Sequence, residues 1–386
     1  MKGLGTIISA IFAATRAAAA AISAKAAVAA ATAVLLLLAS ACTGVEYGPT
    51  QMAKEFQLKF GWDWSGVSGL GSEQQEQLQE NALVLMARTT NEVHYLWRPD
   101  AFWTSDGDGA DVDEVQKVLN GQYYMVAVTS ASPALYDFSD SARFVSDRTM
   151  SIAEVNAALR PVERSEIKRI YGQHIFDPDD GSYDLFLPSA PSLYSSKKAD
   201  GIFYASELDD IVVTFTPSDL CAQVSFSVDI QTEAGVQIDS ITADITGVAS
   251  RVQLLDSSVD DKTLGKAFFR MTHSSGNSYS GTVGVLGLFS SDYEDYVYGS
   301  GILHLAVFAR AEGTAGTLRA GLNIKNEIDA SSLMQKSDNL VWTLARNDAE
   351  IKIDKQLKIS GQAIITGNSD FDNGWFQTDK RIDEDL

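Results

Sequence analysis

Cysteine is nearly absent from the chain, which has two in 386 residues, Cys42 and Cys221. With so few cysteines, neither a disulfide framework nor a cysteine-based metal site can form. Cys221 lies in a strand-like apolar stretch, residues 220–224. We therefore expect it to be a buried structural thiol rather than a nucleophile.

Histidine is also scarce, and recognised catalytic motifs are missing. The four histidines lie far apart in sequence and away from the cysteines: His94, His174, His273 and His304. This spacing does not match a zinc site, and we expect ordinary partly buried or surface imidazoles. The chain has no G-x-S-x-G elbow, no phosphate-binding G-x-x-x-x-G-K-[ST] loop and no H-E-x-x-H pair. We therefore predict a protein that is not an enzyme and has no cofactor and no metal site.

Three acidic stretches partly match a calcium-binding loop. In residues 106–111, Ala110 and Asp111 occupy the positions that need an oxygen ligand and a glycine. Residues 368–379 have Asn373 at the glycine position, and residues 177–181 form a plain turn sequence. We interpret all three as solvated turns. A hydrolase with dispersed paired carboxylates stays open, without a positive signal for it.

The first part of the chain has the pattern of an export signal. It contains Lys2, Arg16 and Lys25 but no acidic residue, and an apolar run follows at residues 26–38. A charged start followed by an apolar stretch is typical of a signal peptide. Lys25 leaves about 16 apolar residues before Cys42, fewer than the 18 to 20 that a membrane-spanning helix needs. The pattern therefore indicates a removable signal.

The end of this signal resembles the lipobox of bacterial lipoproteins. Residues 38–42 read Leu-Ala-Ser-Ala-Cys, with Ala39 where the preferred lipobox has leucine. We predict a signal peptide at residues 1–41, cleavage after Ala41 and lipid attachment at Cys42. Two acyl chains would hold the protein stably, at about 0.8 kcal/mol per buried methylene. The alternative is an ordinary signal with an A-x-A-like site, which would leave Cys42 as a free thiol.

Basic residues are few compared with acidic ones. The chain has 30 Lys and Arg against 51 Asp and Glu, a net charge of -21. Because the signal segment contains three basic residues and no acidic one, its removal brings the charge near -24. Nucleic acid and anionic membrane surfaces would both repel such a protein. We therefore expect no nucleic-acid partner.

Strand patterns dominate the mature chain. Residues 56–62 alternate between apolar and polar, and residues 82–87 and 92–97 are predicted to form a hairpin. Residues 223–230 alternate strictly, as a strand with one buried face should. Further strands are predicted at residues 122–129, 211–217, 240–246, 265–273, 278–289, 301–309, 317–324, 350–358 and 361–367. A short helical stretch is expected from Ser151 to Leu159, with Ser151 and Glu154 forming a capping box.

This pattern predicts an all-β protein built from two tandem antiparallel β-sandwiches. The mature chain is longer than the 250 to 300 residues, roughly, at which single cores stop growing. We predict a linker at residues 42–52, an N-terminal sandwich at 53–210 and a C-terminal sandwich at 211–386. A connecting stretch with several prolines, residues 177–201, leads to the junction.

Tryptophans are concentrated early in the mature chain, at positions 62, 64, 97 and 103. They could form a platform for a sugar, which makes a glycan-binding surface lipoprotein the alternative function. Trp62 and Trp64 share one face of a strand, however, where packing in the core is the more usual role. Saturable polysaccharide binding that is lost in Trp103→Ala would favour the glycan hypothesis.

Several short motifs, in order along the chain, resemble the FimB-type fimbrial subunits of Bacteroidales. They are FGWDWSG at residues 60–66, GQYYMVAVTS at 121–130, GIFYAS at 201–206, VVTFTP at 212–217 and ITADITGVAS at 241–250. The resemblance covers nearly the whole mature chain. It implies two transthyretin-like β-sandwich domains and a minor subunit, anchor or tip, of a lipoprotein-derived fimbria.

This resemblance also implies partners and a location. The partners would be other fimbrial subunits, joined by β-strand complementation, and the cell outer membrane, reached through the acyl chains (palmitate) on Cys42. In the stalk subunits of such fimbriae, a trypsin-like protease cuts after a basic residue in the loop that follows the first strand. Here no Lys or Arg occurs between Lys59 and Arg88, so the predicted loop at residues 65–81 has no such site. The first strand and its lipid should stay attached, as expected of an anchor or another accessory subunit in cell adhesion.

Overall fold

The structure is a computed structural model that describes residues 57–88, 94–99, 101–104, 107–111, 123–172, 185–198 and 210–378. Its N-terminal half contains twelve described strands: β1 Gln57–Trp62, β2 Leu83–Arg88, β3 His94–Arg98, β4 Ala101–Thr104, β5 Gly107–Asp111, β6 Tyr123–Ser130, β7 Tyr136–Asp137, β8 Asn156–Leu159, β9 Phe186–Leu187, β10 Leu193–Lys198, β11 Asp210–Phe215 and β12 Ser218–Asp219. Seven of these strands form one sheet, in the order β12-β10-β6-β2-β3-β4-β5. The predicted hairpin is confirmed as β2 and β3, which pair antiparallel.

The C-terminal half contains eleven described strands: β13 Ala222–Thr232, β14 Val236–Ala249, β15 Arg251–Gln253, β16 Leu264–Ser275, β17 Ser278–Val285, β18 Ile302–Ala311, β19 Thr314–Asn323, β20 Met334–Lys336, β21 Trp342–Leu344, β22 Asp348–Ile359 and β23 Phe376–Gln377. Its main sheet runs in the order β22-β13-β17-β16-β14-β18-β19-β23, and β9 adds to it by pairing with β16. The alternation predicted for residues 223–230 is confirmed, because Val224, Phe226, Val228 and Ile230 are all buried.

Helices are short and few among the described residues: α1 Ser72–Glu80, α2 Ser139–Ser146, α3 Arg164–Tyr171, α4 Lys325–Ser331 and α5 Gly361–Thr366. None of these helices is long and apolar enough to cross a membrane. Strands therefore dominate the described structure, and the prediction of an all-β protein is confirmed.

Three local predictions were wrong. Residues 361–367 form helix α5 rather than a strand, because Ser360 caps its start and Gly367, in the left-handed region, ends it. Residues 151–159 contain one turn of 3-10 helix, which keeps the predicted capping box, and then strand β8. Residues 107–111, interpreted as a turn, form β5 at the edge of the seven-stranded sheet.

Strand β2, at the centre of the seven-stranded sheet, is buried on both faces. In β2, Leu83 and Leu85 belong to a large hydrophobic cluster, whereas Val84 and Met86 belong to a smaller one. Successive side chains of a strand point to opposite faces, so the centre of this sheet lies between two apolar layers. The large cluster continues through strands of both halves, such as β13 and β18.

The described residues all belong to one compact unit. Strands β11 and β12, which follow the predicted boundary at residue 210, pair with β1 and β10 of the N-terminal half. The division into two tandem sandwich domains at that residue stays a prediction.

Candidate functional site at the N-terminal strand

Strand β1 pairs in parallel with β11. The register joins Gln57 to Asp210 and continues residue by residue to Trp62, which lies opposite Phe215. Beyond the last pair, the Asp63 N–H donates to the Phe215 carbonyl over 2.8 Å. Two strands so far apart in sequence can pair in parallel because a long stretch of chain connects them. The first described strand is therefore bound to a strand about 150 residues away in sequence.

An aromatic cluster holds β1 against the seven-stranded sheet. Phe60 and Trp62 are two residues apart on one face of the strand. Their ring centroids lie 5.7 and 5.6 Å from that of Phe215, which is fully buried. Phe60 also meets Trp97 of β3 edge to face, at 4.7 Å between ring centroids. Each such aromatic pair adds about 0.5–1.5 kcal/mol beyond the apolar area that it buries. Together, β1 and β11 cover the smaller hydrophobic cluster, to which Tyr95 and Met125 also belong.

The chain that leaves β1 is also fixed to the fold. Trp64 is buried in a 3-10 turn and meets the ring of Tyr194 in β10 edge to face, 5.6 Å away. Leu78 of α1 belongs to the same hydrophobic cluster as Trp64 and Tyr194, and its carbonyl accepts a hydrogen bond from the Thr129 hydroxyl. The prediction of a loop at residues 65–81 is thus corrected: helix α1 occupies its second half and lies against β6.

No basic residue occurs in this segment. From Phe60 to Ala87 the sequence has no Lys or Arg, so a protease that cuts after basic residues has no target there. In the structure this stretch holds the end of β1, the 3-10 turn, α1 and most of β2. The chain therefore combines a firmly packed first strand with a connection that such a protease cannot cut.

The tryptophans proposed as a sugar platform are engaged in packing where their side chains are described. Trp62 stacks on Trp64 at 5.8 Å with ring planes 14° apart, and Trp97 packs on Phe60. This confirms the core-packing role expected for Trp62 and Trp64. The Trp103 side chain lies outside the described residues.

The predicted sites at the N-terminus, Ala41 and Cys42, also lie outside the described residues, as do His174 and the turn at 177–181. Lipidation and signal cleavage stay predictions. Among the described residues, no group of His, Cys, Asp and Glu side chains has an arrangement that could hold a metal ion.

The other histidines all lie in strands, but they are not alike. His273 is exposed, and its Nε2 lies 2.8 Å from the Gly276 carbonyl. His94 is buried, stacked on Phe144 at 4.1 Å, with Nδ1 2.7 Å from the Phe144 carbonyl. His304 is buried beside Asp244 and Lys266. Sequence reasoning missed this last group, although each of its residues interrupts an apolar strand, which was a usable signal.

Cys221 is the buried structural thiol that the sequence predicted. Its Sγ lies 3.3 Å from the Tyr136 hydroxyl and 3.1 Å from the Pro191 carbonyl. Burial raises the pKa of the thiol to about 12. A thiol so reluctant to ionise is a poor nucleophile at neutral pH.

Asp219, close to Cys221, provides a test of this packing. Its Oδ1 accepts a hydrogen bond from the Cys221 N–H, but burial raises the pKa of the carboxyl from 3.8 to about 6. The folded state then binds the proton more tightly than the unfolded state, so this group's contribution to stability falls as pH rises through that interval. Asp219→Asn removes the titration and can keep the hydrogen bond. We expect the variant to be more stable than wild type at neutral pH by on the order of 1–2 kcal/mol, after a discount for partial exposure, and the gain to vanish in acid.

Urea unfolding of both proteins across this pH range would measure the effect. A stability difference that stays constant with pH would contradict the assignment.

Comparisons with known proteins give similarity only at the level of structure. No family model matches the chain, and no curated protein matches its sequence. A "putative adhesin" from Bacteroides ovatus ATCC 8483 is 13% identical, with 80% of this chain and 92% of that chain covered and a TM-score of 0.44. The fimbrial anchor protein Mfa2 from Porphyromonas gingivalis is 10% identical, with 76% and 88% covered and a TM-score of 0.39. At this low similarity, the function has to be inferred from the chain's own first strand and its surroundings.

Proposed function

We propose that the chain is a non-enzymatic outer-membrane lipoprotein that serves as an anchor or accessory subunit of a fimbria. One observation carries the proposal: β1 is packed in place by Phe60 and Trp62, and the chain that follows it has no basic residue before Arg88. A strand held in this way stays part of its own subunit.

The retained strand suggests a position within a fimbria. In subunits joined by strand complementation, an open groove in one subunit receives a strand from another. Here β1 fills the place beside β11 itself, since the six residue pairs of the two strands are all formed. Such a subunit can end an assembly but cannot accept a neighbour's strand at that position. The base of a fimbria, next to the membrane, fits this property.

The proposed lipid on Cys42 would give the subunit the membrane attachment that an anchor needs. Cys42 lies fifteen residues before Gln57, where β1 begins, and no basic residue except Lys54 lies between them. If Cys42 is acylated, the lipid and the retained strand belong to one uncut chain. The acyl chains would then hold the whole folded subunit at the outer membrane, rather than a fragment of it.

The first test concerns the tether. We expect Cys42→Ser to release the protein from the membrane fraction into the soluble fraction, because two acyl chains supply the membrane affinity. Cys221→Ala is the matched control, since it removes the other cysteine and should leave membrane attachment unchanged. Mass spectrometry of the native N-terminus should find residue 42 acylated. A native N-terminus without lipid, or Cys42→Ser protein still bound to membranes, would contradict the proposal.

The role in assembly is tested by deleting the gene. We expect cells without the protein to carry fimbriae of altered length or to lose them into the medium. Electron microscopy of the cells and an assay of shed stalk subunit would measure both. Unchanged fimbriae that remain attached would count against an anchor or accessory role even if the protein itself proves to be a lipoprotein.

A further inference from the structure

The main C-terminal sheet buries three ionisable side chains next to one another. They are Lys266 on β16, Asp244 on β14 and His304 on β18, three adjacent strands. Asp244 lies directly opposite His304, and Lys266 lies opposite Thr246, two residues further along β14. Residues two apart point to the same face of a strand, so all three side chains meet on one face. Lys266 and Asp244 are each 0% exposed and His304 is 3% exposed.

Their contacts centre on one carboxyl group. The Asp244 Oδ1 atom lies 2.7 Å from His304 Nδ1 and 3.6 Å from Lys266 Nζ. The other oxygen, Oδ2, is buried and makes no hydrogen bond with the described residues. An amine and an imidazole thus both lie within contact distance of one carboxyl group, and all three are buried.

Burial changes the chemistry open to this amine and carboxyl. A proton passed from the ammonium group to the carboxylate within the buried contact turns the pair into a free amine and a carboxylic acid. The uncharged forms are the reactive ones, because a free amine is a nucleophile and a neutral carboxylic acid is an electrophile. The two groups are also held together, which removes most of the entropy cost of bringing them into contact.

We propose that Lys266 and Asp244 condense into an isopeptide bond within the folded protein. The lone pair of Lys266 Nζ forms the new bond to Asp244 Cγ, and the bond from Cγ to Oδ1 breaks. Of the three protons of the original ammonium group, one stays on the amide nitrogen and two leave with Oδ1 as water. No oxidant, reductant or other reactant is needed.

His304 is placed to move the protons of this reaction. Its Nδ1 atom contacts Oδ1, the oxygen that leaves. Through this contact the imidazole can protonate the leaving oxygen as the bond from Cγ breaks, acting as a general acid, and the proton that the attacking nitrogen loses restores the imidazole. The flexible four-carbon stem of the lysine allows Nζ to close the remaining distance to Cγ. Exclusion of water then protects the amide, since hydrolysis would need the water that the core shuts out.

Trypsin digestion and mass spectrometry test the bond directly. The full chain, purified in folded form and then denatured, should yield residues 199–251 covalently joined to residues 263–270, with a mass lower by one water than the sum of the two peptides. Trypsin should not cut after Lys266, because an acylated lysine is not its substrate. Separate peptides 263–266 and 267–270, with an unmodified 199–251 peptide, would overturn the proposal.

Variants test the roles of Lys266 and His304, while the digest of the wild-type protein tests the bond itself. Lys262→Met, at an exposed lysine four residues away, should keep the cross-link, with residues 252–270 in place of 263–270 because the cut after residue 262 is lost. Lys266→Met should lose the cross-link. His304→Gln should reduce the cross-linked fraction. A fully cross-linked His304→Gln protein would overturn the proton-transfer role of His304. Because the wild-type digest alone decides whether the bond exists, a variant that fails to fold does not leave the proposal untested. The result is also independent of lipidation and of fimbrial assembly.

Discussion

Replacing Phe215 by alanine is expected to lower the free energy of unfolding by about 3–5 kcal/mol, the usual cost of removing a buried phenylalanine ring. The ring is 0% exposed, and both Phe60 and Trp62 pack against it. Its loss leaves a cavity where β1 meets β11. Since whole domains are stable by only about 5–15 kcal/mol, a change of this size should be plain in a urea denaturation curve.

The matched control lies on the same strand. Val212 is 61% exposed, so Val212→Ala should change stability by less than about 0.5 kcal/mol. If β1 is the element that loosens, trypsin should also cut after Lys59 faster in Phe215→Ala than in wild type, because cleavage needs the strand to open. Equal stabilities for the two variants would show that the aromatic cluster does not hold β1 in place.

Gly284→Ala is expected to cost about 3 kcal/mol or more, through overpacking and lost hydrogen bonds. The segment before β10 runs across β17 at this glycine: the Gly284 N–H donates to Ser189 Oγ, and the Ala190 N–H donates to the Gly284 carbonyl, both over 2.8 Å. A Cβ on residue 284 would overlap the Ala190 carbonyl oxygen, which is backbone and cannot turn away. The N-terminal segment would then have to separate from the C-terminal sheet.

Thermal unfolding of this variant should be compared with that of Gly66→Ala. A Cβ on Gly66 would meet no atom within 4 Å, so the control should unfold within a few degrees of wild type. Similar melting temperatures for both variants would mean that the contact at Gly284 relaxes freely and contributes little to stability.

Much of the fold could be predicted because the strands carry local signals. The alternation at residues 223–230 and the aromatic and branched residues of β6 are properties of a few consecutive residues, and both strands exist. Helix α5 was missed because its apolar Ala-Ile-Ile stretch suits either a helix or a strand, and the cap at Ser360 decides between them. One part of the candidate site could also be predicted from the sequence: the lack of Lys and Arg between Lys59 and Arg88.

The remainder of the site depends on contacts between distant residues. No local pattern indicates that β1 pairs in parallel with β11, or that Phe215 fills the space between Phe60 and Trp62. The same holds for Lys266, Asp244 and His304, whose polar side chains are noticeable in their strands but reach one another only through the register of the sheet. Such pairings are decided by packing of the whole chain. For this reason sequence reasoning gave His304 an ordinary role and gave no role to Lys266 or Asp244.

The parallel pairing of β1 and β11 also determines how the protein would respond to mechanical force. A pull on the chain that precedes Gln57 acts at the N-terminal end of β1. Strand β11 continues into the rest of the fold from its C-terminal end, at Phe215. The two strands are therefore drawn in opposite directions along their length. All six residue pairs would be loaded together in shear, rather than opened one after another from an end. A tether attached at this position would hold with little extension up to a threshold force and then yield abruptly.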